Sequence, residues 1–153
     1  QLFSHAAGPR GMVGGQMLDI LAEETSIGAE DLATIHTLKT GKLIEASILA
    51  AALIGEANEE VIEVLTQFSQ KIGLAFQVQD DILDLSGTTD SLGKTAGKDQ
   101  QRGKTTYATF YGLEKASKIL EALLRSALTS LEVFNEKADC LRSLASYITN
   151  RHS

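Results

Sequence analysis

An all-α helical bundle is the fold this sequence predicts, because helix breakers are scarce and apolar residues recur at the helical period. Pro9 is the only proline and no glycine follows Gly112, so chain breaks are confined to a few short stretches. Residues 12–24 carry an apolar, small-residue face, and Thr25-Ser26-Ile27-Gly28 supplies turn chemistry after them. Over residues 31–54, Leu32, Ile35, Leu38, Leu43, Ala46, Ala50 and Leu53 recur at spacings near those of a core-facing helix, and Gly55 ends it. Asn58 is placed to cap the next helix, with Glu59 and Glu60 in its first turn, where acidic groups favour the amide dipoles. Its apolar stripe runs through Ile62, Leu65, Phe68, Ile72 and Phe76 to Leu83. Residues 86–103 hold Gly87, Gly93, Gly97 and Gly103 with Asp90 and Asp99, and read as one long loop of the kind that is usually functional. A short helix over 106–111 and helices over 113–134 and 138–149 complete the pattern.

Composition narrows the class. A chain of 153 residues fits one domain, and a globule of that size buries roughly 70% of its unfolded surface. The hydrophobic share of 43% and charged share of 22% describe a globular protein rather than a disordered one. The longest apolar run, Ile48 to Ile54, is too short to span a bilayer. The start Gln1-Leu2-Phe3-Ser4 lacks signal-peptide features, which makes the cytoplasm the expected location. A net charge of -6 with no basic stripe argues against nucleic acid. Cys140 stands alone and so makes neither a disulfide nor a zinc site; it is expected to be a small buried hydrophobe. Because the chain opens on Gln1 without an initiator methionine, it is expected to be part of a longer protein.

The chemistry concentrates in Asp80-Asp81-Ile82-Leu83-Asp84. On a helix, Asp80 and Asp84 share a face and Asp81 lies beside them. Like charges so close repel, and the four-residue neighbours Phe76, Gln77, Leu85 and Thr88 supply no cation, so compensation must come from outside the helix. Hard divalent cations prefer carboxylate oxygens, and magnesium takes one or two of them, leaving the rest of its octahedron to water and phosphate. A solvated acidic helix end is the alternative, but the apolar stretch Ile72-Gly73-Leu74-Ala75-Phe76 just before the acids points to burial.

Lys94, Lys98, Arg102 and Lys104 follow in the glycine-rich segment, an arrangement suited to an anionic ligand. Lys39-Thr40-Gly41-Lys42 lies mid-helix, where glycine costs about 1 kcal/mol relative to alanine. Two readings fit that position: a bend or π-bulge turning backbone and Thr40 toward a cavity, or close helix packing at Gly41. His36, one turn earlier, reads as an ordinary helix-face histidine, since no second histidine or cysteine stands at metal-binding spacing.

Together, Lys39-Thr40-Gly41, the run Phe76-Gln77-Val78-Gln79-Asp80-Asp81-Ile82-Leu83-Asp84, and Gly93-Lys94 through Asp99 to Gly103-Lys104-Thr105-Thr106 resemble the trans-prenyl diphosphate synthases. Gly14-Gly15-Gln16-Met17-Leu18-Asp19 looks like that family's preceding helix. Asp99-Gln100-Gln101 with Tyr147-Ile148 is most similar to the bacterial farnesyl diphosphate synthases. The resemblance implies the carboxy-terminal portion of the isoprenoid synthase bundle, with residues 1–153 part of one polyprenyl synthetase domain. It also implies three Mg2+ ions between two aspartate-rich helices, an allylic diphosphate that ionises there, and isopentenyl diphosphate that attacks the cation. On that analogy Asp80 ligates metal directly while Asp81 and Asp84 support it from the outer shell. Lys39 and Lys94 hold the leaving diphosphate and Lys104 closes over it. Thr40 and Gln77 turn oxygen dipoles toward the cation, Phe76 offers its ring to the second substrate, and Gln16 and Asp19 join the substrate site.

The family's first aspartate-rich motif is absent from these residues. The chain alone is therefore expected to be inactive and the full-length protein to be active and homodimeric; any apolar surface left where further helices would pack would favour association. Alternatives are a geranyl or geranylgeranyl product, a class I terpene cyclase, a non-catalytic synthase-like partner subunit and a plain helical scaffold. The cyclase is disfavoured because it uses an Asn/Asp, Ser/Thr, Glu metal pattern, and the partner subunit because Lys39, Gln77, Asp80 and Lys94 are intact.

Overall fold

The computed structural model describes residues 1–23, 25, 27–86 and 105–151. In chain order its helices are α1 (Leu2–Ala7), α2 (Met12–Ala22), α3 (Ala29–His36), a π-helical turn (Thr37–Gly41), α4 (Lys42–Ile54), α5 (Glu59–Ser86), α6 (Tyr107–Tyr111), α7 (Leu113–Ser130) and α8 (Asp139–Asn150). Two 3-10 turns, Leu131–Val133 and Glu136–Ala138, join the last pair. No strand occurs among the described residues, so the fold is all-α.

Helix α5 is the axis. It packs against α3, the π turn, α4, α6, α7 and α8. Asn58 Oδ1 accepts from Val61 N at 2.9 Å, which caps α5 as its sequence predicts. Phe68, Ile72, Ala75 and Val78 face inward, and the core closes with Leu32 from α3, Tyr107 from α6, Ala116, Leu120 and Ala127 from α7, and Ala145 from α8.

The long helix expected over 31–54 is interrupted. Its middle widens into the π turn, and two backbone contacts clamp that turn. A Cβ on Gly15 of α2 would fall 2.7 Å from Lys39 Cα and closer still to Lys39 N, while a Cβ on Gly73 of α5 would fall 2.9 Å from Gly41 Cα. The helix bulges here and also packs closely. The glycines that close approach requires are Gly15 and Gly73, since a Cβ on Gly41 would meet nothing nearer than 3.7 Å.

The end of α4 also differs in detail. Glu56 N donates to Leu53 O at 3.1 Å and Ala57 N to Ala52 O at 3.0 Å, the paired bonds of a Schellman cap. The left-handed residue of that cap is Glu56 at φ 54°, one place beyond Gly55.

Three further expectations change. Helix α1 was not predicted, because six residues are too few to show a period. The helix predicted over 113–134 stops at Ser130 because Arg142 of α8 takes the carbonyls that follow. Its Nη2 donates to Leu131 O and Phe134 O, both at 2.7 Å, and its Nη1 to Asn135 O at 3.0 Å. Cys140 is exposed rather than buried, since α8 turns Leu141, Ala145 and Ile148 toward the core and residue 140 lies off that stripe. On α2, Val13, Met17, Leu18, Ile20 and Leu21 are each at least 41% exposed.

Candidate functional site

The acidic turn of α5 lies where that helix meets α3 and α6. Its three acids have different surroundings. Asp81 is buried, at 8% exposure. Its Oδ2 stands 3.1 Å from His36 Nε2 and accepts from Tyr107 N at 2.8 Å. His36 is likewise buried, and its ring stacks on Tyr107 at 5.7 Å between centroids. Burial pushes the Tyr107 phenol above its ordinary pKa, with Tyr111 and Asp81 adding to the effect. His36 is therefore not an ordinary helix-face histidine: it is a buried partner of the acidic turn. An isolated histidine gives no such signal in sequence, because its partner lies 45 residues away.

Asp80 points the other way, with 43% of its side chain exposed. Arg151 pairs with its Oδ1 and Gln77 Nε2 donates to its Oδ2 at 3.1 Å. Burial pushes the Asp80 carboxyl above its ordinary value, and the guanidinium of Arg151 offsets this only in part. Hard oxygen donors on this half-open face fit a divalent cation. Asp84, one turn on, is half-buried. Among the described residues no group of three or more His, Cys, Asp or Glu comes together as a metal cage, so this acidic turn offers an edge of a site rather than an enclosed one.

Arg151 was not anticipated. It follows α8 and reaches back to α5, with its guanidinium 4.2 Å from the centroid of Phe76 and its own carbonyl accepting from Gln79 Nε2 at 2.8 Å. The ring of Phe76, expected to face hydrocarbon, is covered on that side by a cation. Because Gln77 directs its amide nitrogen at Asp80, its oxygen is the end left for a ligand.

The π turn presents the second part of the site. Lys39 begins one turn after His36, on a segment packed against both α2 and α5. Its Nζ donates to Asp19 Oδ2 at 2.6 Å, and Asp19 is buried while Lys39 is about one-third exposed. Asp19 is thereby a partner of Lys39, whereas Gln16, expected beside it in the substrate site, is exposed on α2. Thr40 is half-buried within the turn. Lys94, Lys98, Asp99, Arg102 and Lys104 lie outside the described residues.

Comparison with known proteins gives the family. Residues 1–144 match the polyprenyl synthetase family. Geranylgeranyl pyrophosphate synthase 3, chloroplastic, of Arabidopsis thaliana is 44% identical over 154 residues, covering 98% of this chain and 43% of its own length. Farnesyl diphosphate synthase of Micrococcus luteus is 39% identical over 151 residues, covering 99% of this chain and 52% of its own. A solved geranyltransferase from Helicobacter pylori, complexed with magnesium and isoprenyl diphosphate, aligns with a TM-score of 0.80 at 33% identity, covering 97% of this chain and 49% of that one. The chain spans about half the length of the relatives it matches. Nearly every helix described above falls within the matched region, and the chain belongs to the polyprenyl synthetase family.

Proposed function

We propose that residues 1–153 are the carboxy-terminal part of a prenyltransferase that joins isopentenyl diphosphate to an allylic diphosphate. The observation that carries this reading is the contrast between Asp81, buried with its Oδ2 held by His36 and the Tyr107 amide, and Asp80, half-open beside Arg151 and Gln77. One acid is structural and its neighbour faces a ligand. Mg2+, when bound, supplies positive charge that makes diphosphate a better leaving group. Asp80 would hold it, with Asp81 and Asp84 behind.

Lys39, steadied by Asp19, would bind the diphosphate together with Lys94 and Lys104. Thr40 and the Gln77 oxygen would face the allylic carbocation, and Phe76 with Arg151 would border the second substrate. The protein is read as working as a homodimer. Farnesyl diphosphate is the product assigned by resemblance; the 44% identity to a relative named for geranylgeranyl pyrophosphate favours the longer product as the second reading.

Incubating the full-length protein and this chain separately with isopentenyl and dimethylallyl diphosphates and Mg2+, then resolving the products by chain length, tests all three statements. Farnesyl diphosphate from the full-length protein and none from this chain is the expected result. Turnover by this chain alone would refute its expected inactivity without the first aspartate-rich motif, and a geranylgeranyl product would select the alternative. No chain elongation by the full-length protein would refute prenyl transfer.

A further inference from the structure

Resting on the reading of Asp80 as the cation-facing acid, we propose that His36 is a positioning residue. It fixes Asp81 as a non-ligand and so sets the orientation of Asp80. Three observations carry this. The first is that His36 Nε2 and the Tyr107 amide converge on one atom, Asp81 Oδ2, at 3.1 and 2.8 Å. Because residue 80 precedes residue 81 by about 100° of helical rotation, locking Asp81 inward also determines where Asp80 points. That direction is outward, toward Gln77 and Arg151.

The second observation is that His36 has no other polar duty. Its Nδ1 is buried without a hydrogen-bond partner. With Nε2 donating to the carboxylate, Nδ1 carries only a lone pair, so the unmet capacity is an acceptor and not a buried N–H. A histidine serving only to fill space would be replaceable by an apolar residue without leaving that atom unmet.

The third is that the ring stacks on Tyr107, whose backbone supplies the second donor. His36 therefore braces both Asp81 and the start of α6. The arrangement ties α3, the acidic turn of α5 and α6 at one point, and Lys39 lies one turn from it. A displaced His36 would move the acid that faces the cation relative to the lysine that faces the phosphate.

The test uses full-length protein carrying His36→Gln or His36→Asn, with Mn2+ as an electron-paramagnetic-resonance probe titrated in the presence of inorganic diphosphate, alongside thermal unfolding. Glutamine carries an amide nitrogen out to the position of Nε2 and rescues the contact, whereas asparagine reaches only as far as Nδ1. The expected result is Mn2+ binding weakened roughly tenfold or more by asparagine and held within about threefold of wild type by glutamine, the range that loss of an outer-shell partner produces.

Wild-type affinity in the asparagine variant, whatever its thermal stability, would overturn the proposal. So would equal weakening by both substitutions, since a merely structural role predicts no rescue. Should the asparagine variant not fold, a tenfold loss of Mn2+ affinity in the glutamine variant overturns the role. If the wild-type protein itself bound no Mn2+ with diphosphate, the proposed function would fall and take this inference with it.

Discussion

Around the π turn, backbone meets backbone, with Gly15 against Leu38 and Lys39 and Gly73 against Gly41. At the other side of α5, helices α7 and α8 meet it through side chains, with Ala116, Leu120, Ala127 and Ala145 filling the core and Arg142 gathering loose carbonyls at the corner. Both regions are helix packing, yet they tolerate different errors. Where side chains interdigitate, neighbours can shift to absorb a small change. Where two backbones touch, an added methyl has nowhere to go. The close-packed region is the one that presents Lys39 and Thr40, so the candidate site rests on the least adaptable part of the fold.

The sharpest way to break this comparison is Gly15→Ala. The added Cβ meets the backbone of Lys39, and the expected loss is about 3 kcal/mol, the upper range for overpacking, read from the midpoint of denaturant unfolding. Gly41→Ala, whose Cβ has room, should cost much less. Equal effects at the two positions would mean that the π turn adapts as freely as the rest.

On the side-chain region, Arg142→Ala removes donors to Leu131, Phe134 and Asn135 carbonyls and to Asp139. A loss of about 2 kcal/mol is expected, in the range for charge-assisted hydrogen bonds. Arg142→Lys should recover only part of it, because a point charge cannot span the fork. Glu56→Gly tests the same logic with the opposite sign. The left-handed backbone at φ 54° disfavours a Cβ, so glycine should stabilise by about 1 kcal/mol in the same assay.

The smallest expected effect is that of Asp80→Asn, and its sign depends on pH. The folded-state pKa of Asp80 is raised above its ordinary value by burial, against the pull of Arg151. The folded chain therefore holds that proton more tightly than the unfolded one, and stability from this group falls as pH rises from the ordinary carboxylate value through the raised one. Asparagine does not ionise. Its stability relative to wild type should increase over that window and level off above it, as measured by urea unfolding at a series of pH values. A difference that shrank with rising pH would show Arg151 stabilising the ionised form more than burial opposes it.

Much of the fold was legible because helices declare themselves locally. The stripe through Leu65, Phe68 and Ile72, the Asn58 cap and the break near Gly112 all arise from residues within a turn or two of one another. The acidic turn was legible for the same reason, as was its need for a cation from elsewhere. Illegible were the identities of the partners: His36 stands 45 residues before Asp81 and Arg151 stands 71 after Asp80, and neither shows a local pattern. Cys140 went the other way, because residue type predicted burial and its register on α8 decided exposure.

By itself the sequence determined the helices, the chemistry of residues 80–84 and the glycine at 41, since period, charge and backbone freedom are properties of neighbours along the chain. Only the tertiary structure decided which acid is buried and which is open, that Asp19 holds Lys39, and that Gly15 and Gly73 carry the close contacts. Those outcomes depend on which surfaces meet in space, and distance along the chain does not encode them.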